Sequence, residues 1–540
     1  MTIHSMNIQK LRRRITIPAI IVSFFLFGSR SGWCQSVRIE SGLIEGVHDG
    51  AITVYKSIPF AAPPLGELRW KAPERPLQWN GVRRADNFGP ICMQSGVSVL
   101  GAAAEPISED CLTLSIWTPA KSRDEKFPVM VWIPGGGFMQ ESGSMPLYWG
   151  DALAKRGVIV VTMNYRVGVF GFLAHPELTR ESKSKSSGNY GVLDQIAALA
   201  WIKRNIHVFG GDPRRVTVWG QSAGSMQVSL LMASPLARGL FQRAIGESGG
   251  FFTPPAATSN PDGWNLKGAE LQGLVFAGST GTTSLTELRR LPPEQILKLG
   301  SFGTTHPITD GYVLPKEPYD VFSAGRQIDV PILIGSNADE GRPLVGDRNV
   351  KLATFAEDIV RAFRSDALSG LASAYLRIYP ASTDSEARET RAKFERDLRF
   401  GWDMWTWARM QAKSGKSKVF YYHFQHSPPY PPGSPFSSWG AGHWQELRYV
   451  FDHLDQERWA WTDADRVLAN TMATYWTNFA RNGNPNGDGV PSWPVFTRES
   501  ERLMQFDTTT AVNGVPNREG LNLIDELFGN LRKPIRANAK

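Results

Sequence analysis

Cysteine is scarce in this 540-residue chain: Cys34, Cys92 and Cys111, with no C-x-x-C and no His/Cys cluster. That excludes a disulfide-dense scaffold and a structural zinc site, and no metal or other cofactor is expected. No apolar run reaches the ~18 residues that would read as a membrane-spanning helix, so stable membrane insertion is not expected. The phosphate-cradling patterns G-x-x-x-x-G-K-[ST] and G-x-G-x-x-G are both missing, which argues against a phosphate loop. There is no N-x-[ST] sequon, internal repeat, low-complexity tract or basic stripe. The formal charge of +8 falls to +3 once the first 34 residues are set aside, because Lys10, Arg12, Arg13, Arg14 and Arg30 lie there without a single acid. The basic balance is therefore no sign of a nucleic-acid partner.

Those 34 residues read as a secretory signal peptide. A positive segment precedes the 13-residue apolar run Ile15 to Phe27, and the small residues Gly28, Ser29, Ser31 and Gly32 follow. Cleavage is expected at about 32–36, and the mature protein is expected to be secreted or periplasmic. Ser31-Gly32-Trp33 before Cys34 makes a poor lipoprotein box. Beyond the signal, residues 37–540 read as one domain. A hydrophobic content of 42% with 20% charge suits a large core, and 18 Trp, 28 Phe and 13 Tyr leave enough aromatics for a lined pocket as well.

Apolar β-branched runs stand at Val129–Ile133, Val158–Thr162, Val216–Trp219, Val330–Ile334 and Val419–Phe424. Continuous runs of this kind suit strands buried on both faces. Between them a helical pattern spans Val192 to Ile206, and another, Val467 to Phe479, ends at Asn482-Gly483. Strands alternating with helices predict an α/β architecture with a mostly parallel, doubly wound sheet.

The third run leads directly into Gly220-Gln221-Ser222-Ala223-Gly224 and then into a helix-compatible apolar segment. Strand, G-x-S-x-G and helix place a serine hydroxyl on a sharp turn above a sheet. A nucleophilic serine needs donors for the oxyanion it creates, and Pro134-Gly135-Gly136-Gly137-Phe138 follows a strand directly. It also needs a base. Chain order in this architecture is Ser, then acid, then His. Five of the nine histidines come too early, and His423 lies within a strand pattern. His426, His443 and His453 remain, with His443 in the small-residue loop Gly440-Ala441-Gly442. The acid should end the preceding strand, where Asp339 and Glu340 stand side by side; position alone does not choose between them.

These motifs, with Tyr55–Pro64, Glu109–Leu114, Asn164-Tyr165-Arg166, Asn337–Gly341 and His443–Phe451, make residues 37–530 resemble the type-B carboxylesterase/cholinesterase family of α/β-hydrolases. The resemblance implies a large, mostly parallel sheet flanked by helices, with helical insertions forming a gorge or cap. It implies a carboxylic ester hydrolase (EC 3.1.1 class) acting on a small-molecule ester through an acyl-enzyme, with Ser222 as nucleophile, His443 as base and Glu340 as acid. It places oxyanion donors at Gly136, Gly137 and Ala223, and pairs Cys92 with Cys111. Three departures matter. Pro134 replaces the family's usual His or Tyr, Gln221 replaces the cholinesterase Glu, and the Cys92–Cys111 loop holds no Trp, which argues against acetylcholine. Phe138, Gln221, Phe251, Arg342 and Trp444 are candidate substrate contacts, with Phe252, Trp402, Trp405 and Trp439 as further possible gorge residues. Arg342 resembles an arrangement in fumonisin-type esterases, which implies polycarboxylate (tricarballylate) esters as an alternative substrate class. The rival reading is a non-catalytic binding or adhesion module on the same fold. Oligomeric state is left open.

Overall fold

An 11-stranded sheet runs through the computed structural model, which describes residues 36–95, 105–258, 260–282, 284–299, 306–346, 348–363 and 369–533. The expected signal peptide, with Cys34, lies outside the described residues. In chain order the sheet's strands are β1 (Val47–Asp49), β2 (Ile52–Pro59), β3 (Thr113–Thr118), β4 (Phe127–Ile133), β5 (Ile159–Met163), β6 (Gly211–Gln221), β7 (Arg243–Glu247), β8 (Ile332–Asn337), β9 (Val419–Phe424), β10 (Arg502–Phe506) and β11 (Ala511–Gly514). In space the order is β1-β2-β3-β5-β4-β6-β7-β8-β9-β10-β11. Every neighbouring pair from β5 through β10 is parallel, and the pairs at both edges are antiparallel.

The helices that bear on the site are α1 (Tyr190–Asn205), α2 (Ala223–Ala233), α3 (Gly341–Val345), α4 (Asp384–Arg396), α5 (Trp402–Ser414), α6 (Asp463–Asn482) and α7 (Arg518–Leu531). Successive strand residues alternate between two cores, as the twofold period of a strand requires. Val129, Val131 and Ile133 join Val218, Ile334 and Tyr421 in a layer with residues of α1, α2, α5 and α7. Met130 and Trp132 join Trp219, Leu333 and Phe420 in the opposite layer, against α6. Trp132 and Trp219 are fully buried, meet edge to face at 4.7 Å and both pack on Phe451. Burying ~150–250 Å² each, they contribute about 4–6 kcal/mol apiece before entropy is charged. The expected stop of α6 is present: Gly483 takes the left-handed conformation at φ 78°, and a Thr462/Asp465 capping box starts the helix.

Strands β3, β7, β10 and β11 correspond to no strand read from the sequence. In β7, Arg243 and Glu247 flank only three small or apolar residues, so no apolar run marks it. The short β10 and β11 close the sheet's far edge as an antiparallel pair.

Candidate active site

Ser222 sits on the turn between β6 and α2 with φ 57° and ψ −126°. A non-glycine residue there is strained by roughly 1–3 kcal/mol and persists only where its surroundings over-determine it. They do so here. The Ser222 N–H donates to the Glu247 carbonyl at 2.8 Å, and the Ser222 carbonyl accepts from the Met226 N–H at 2.9 Å. A Cβ at Gly224 would lie 2.1 Å from the Ile133 carbonyl oxygen, and one at Gly220 would lie 2.6 Å from the Gly224 carbonyl carbon. The two glycines of the motif are thus demanded by the backbone of β4 and by each other.

The loop after β4 presses on the same turn. A Cβ at Gly135 would come within 2.7 Å of the Gln221 carbonyl oxygen. Gly136, Gly137 and Phe138 follow at φ 74°, 63° and 65°, and the Tyr165 hydroxyl donates to the Pro134 and Gly135 carbonyls at 2.9 and 3.2 Å. Gly137, Ser222 and Ala223 line one cavity; Gly136, next to Gly137 in the chain, is not among its lining residues. Ala223 opens α2, where backbone N–H groups lack intrahelical partners and the helix dipole favours negative charge.

Glu340 follows β8 and His443 lies on the long connection after β9. The Glu340 side chain is fully buried. Its Oε1 accepts from the Asn337 N–H at 2.8 Å, and its Oε2 meets His443 Nδ1 at 2.5 Å. Phe400 stacks on the imidazole at 4.4 Å, and Trp444 meets it edge-on at 5.0 Å. The Gln221 amide nitrogen is 3.3 Å from both ring nitrogens, a position over the ring and not in its plane. Among the described residues the Ser222 hydroxyl makes no hydrogen bond; such bonds commonly tighten only around bound substrate. The other carboxylate, Asp339, faces away: it accepts from the Ala441 N–H at 2.9 Å and pairs with Arg342 at 3.1 Å. The other two late histidines are occupied elsewhere, His426 with Asp465 and His453 with Asp151 and the Leu147 carbonyl.

Two buried acids lie behind this group. Burial pushes Glu247 up to about 8, with its Oε1 accepting from Trp476 Nε1. Burial, reinforced by the charges of Glu340 and Glu247, also drives Glu446 well above the usual carboxylate range. Glu446 accepts from the Asn337 amide, whose backbone N–H serves Glu340, so Asn337 ties the two carboxyls together.

The cavity above Ser222 has a volume of about 1050 Å³. Phe138 and Phe251 line it, and the aromatic wall continues from Phe251 to Trp264 at 5.0 Å and to His306 at 4.5 Å. Phe400, Leu398 and Phe528 close another side. Other proposed contacts belong elsewhere. Arg342 is absent from the lining because Asp339, Glu389 and the Ser438 carbonyl hold its guanidinium. Trp444 packs on His443 and Trp439 outside the lining, and Gln221 reaches the imidazole but not the cavity wall. Phe252, Trp402 and Trp405 are core residues. Trp264, His306, Met226 and Phe400 line the cavity without any motif to announce them.

A mostly parallel sheet with a serine on a strained strand-to-helix turn, and a buried His–Glu pair supplied from beyond later strands, is an α/β-hydrolase. The chain belongs to the carboxylesterase family, whose model matches residues 34–524. It is 38% identical to the fumonisin B1 esterase of Sphingopyxis macrogoltabida over 481 residues, 86% of this chain and 85% of that one. It is 35% identical to the para-nitrobenzyl esterase of Bacillus subtilis over 500 residues, covering 90% and 97%. Among solved structures, a PNB esterase superposes with a TM-score of 0.77 at 33% identity, covering 90% of this chain and 99% of that chain. Cys92 and Cys111 are joined in a disulfide, their Cα atoms 4.9 Å apart.

Proposed function

We propose that this carboxylesterase works through Ser222, His443 and Glu340 by way of an acyl-enzyme. The observation that carries the reading is the buried 2.5 Å contact between Glu340 Oε2 and His443 Nδ1 beside the turn that holds Ser222. With Nδ1–H given to Glu340, Nε2 is the nitrogen free to take a proton. His443 removes the proton of Ser222 as its Oγ attacks the ester carbonyl. The oxyanion is received by the N–H groups of Gly136, Gly137 and Ala223. The imidazolium then protonates the leaving alcohol, and water repeats the sequence to free the acid. Burial raises Glu247 and Glu446 above the ordinary carboxylate range, which favours Glu340 as the partner of the imidazolium.

Labelling with an organophosphate, followed by peptide mapping, tests the nucleophile. The adduct belongs on Ser222, and Ser222→Ala should lower turnover by roughly a millionfold, as in another serine hydrolase. A labelled residue elsewhere, or a Ser222→Ala enzyme with near-normal turnover, refutes the assignment. Fumonisin-type esters are a narrower substrate class suggested by the similarity to the Sphingopyxis enzyme. The same reading includes export with loss of the first 32 to 36 residues, checked by N-terminal sequencing of the protein recovered outside the cytoplasm.

A further inference from the structure

The cavity wall carries a charge that ester cleavage itself does not use. Arg391 on α4, Arg399 in the turn after it and Arg348 after α3 all line the cavity. Glu395 serves two of them at once: its carboxylate accepts from Arg391 Nη2 and from Arg399 Nε, each at 2.5 Å. Its side chain is 3% exposed and that of Arg391 13%, so solvent screens this pairing weakly. One carboxylate between two guanidiniums leaves a positive charge over. Among the described residues Arg391 Nη1 is also buried with no hydrogen-bond partner, which is costly for a charged donor. Arg348 is exposed, and its side chain has no hydrogen bond or ion pair among the described residues. The remaining acids on the wall among the described residues are Asp358, which accepts from Thr354, and Asp403, whose carboxyl burial drives well above the usual carboxylate range and which accepts from the Phe252 N–H.

We propose that Arg391, with Arg399 and Arg348, forms a subsite for a free carboxylate on the substrate, so that preferred esters carry an anionic group besides the scissile bond. The proposal rests on the serine esterase reading above. A guanidinium fork matches a carboxylate in shape and charge. The cavity lies at the upper end of the ~300–1,000 Å³ typical of small-molecule sites. It therefore has room for an apolar portion against Phe251 and Trp264 together with a charged end on the arginines.

The test compares two esters of equal length, 4-nitrophenyl hexanoate and mono-4-nitrophenyl adipate, which differ in a terminal carboxylate. The wild-type enzyme should favour the adipate in kcat/KM. Arg391→Gln should lower the adipate-to-hexanoate ratio roughly 10- to 100-fold, chiefly through KM, as loss of a charged hydrogen bond predicts. Free glutarate should inhibit the wild type competitively and the variant much less. Should circular dichroism show Arg391→Gln misfolded, the more exposed Arg348→Glu and Arg399→Gln carry the test, each lowering the ratio several-fold. A wild-type enzyme without preference, or a ratio that stays constant across the variants, overturns the subsite. Ser222→Ala separates the two ideas: loss of both hydrolyses in that variant alongside a constant ratio overturns the subsite alone, whereas retained hydrolysis overturns the serine reading beneath it.

Discussion

Replacing Glu340 by Gln changes one atom's chemistry at the end of a 2.5 Å contact and should disable the enzyme. The geometry dictates how the amide must sit. Oε1 is held by the Asn337 N–H at 2.8 Å, so the oxygen stays there and the new NH₂ faces His443 Nδ1. An NH₂ can only donate, which forces Nδ1 to accept and moves the ring proton to Nε2. The imidazole is then in the wrong tautomer to take a proton from Ser222. The substitution also removes the negative charge beside the imidazolium. Two unit charges ~4 Å apart at an effective dielectric of ~20 attract by about 4 kcal/mol, which is about a thousandfold in rate. Turnover of 4-nitrophenyl acetate should fall roughly 10³- to 10⁴-fold, with circular dichroism and thermal midpoint little changed, since the amide keeps the same volume. Asp339→Asn is the control. Asp339 touches the Ala441 N–H and Arg342 but not the imidazole, so its loss should cost under about tenfold. Equal losses in the two variants, or a Glu340→Gln enzyme within tenfold of wild type, would refute the reasoning.

Glu247 gives a stability test. Its folded value of about 8 lies above its ordinary 4.5, so the folded state keeps a proton that the unfolded state releases. That contribution is greatest below 4.5 and fades as pH rises to about 8, by up to about 4–5 kcal/mol. Glu247→Gln keeps the Trp476 acceptor and escapes the decline, so its thermal midpoint should gain on wild type steadily from pH 5 to pH 8; parallel curves would contradict this. Replacing Cys92 and Cys111 by Ser should lower the unfolding free energy by about 3 kcal/mol, and an unmoved urea midpoint would mean the cross-link constrains nothing. Gly224→Ala places a Cβ 2.1 Å from the Ile133 oxygen, and neither backbone can yield. The displaced Ser222 should lose about a hundredfold or more in turnover; normal activity would show the turn to be less constrained than its contacts imply.

Sequence and structure agree best where one physical signal acts alone. Strands β4, β5, β6, β8 and β9 are buried on both faces, so their apolar runs stand out, and Gly483 marks the end of α6 unmistakably. β7 escaped notice because its ends are Arg243 and Glu247, the latter a buried acid that no periodicity predicts. The turn at Ser222 and the loop from Pro134 to Phe138 were legible because their motifs encode backbone geometry, whereas position alone left three late histidines and only the resemblance singled out His443. The cavity wall was not. Trp264, His306, Phe400 and Arg391 come from insertions whose residues meet only after the chain folds back over the sheet. Arg342 shows the hazard of sequence adjacency: two places after Glu340, the turn of α3 delivers it to Asp339 and Glu389.

The sheet order also sets when the enzyme can work during its own formation. Gln221 meets His443 across 222 positions of the chain, and Glu340 meets it across 103. Neither meeting is possible until β8 is seated on β7 and β9 on β8. Closing loops of that span is entropically slow. A chain with only β4, β5 and β6 paired already carries Ser222 and much of its secondary structure, yet lacks the His443–Glu340 pair. In refolding, circular dichroism should therefore recover before ester hydrolysis, and the lag between them times the arrival of the later strands.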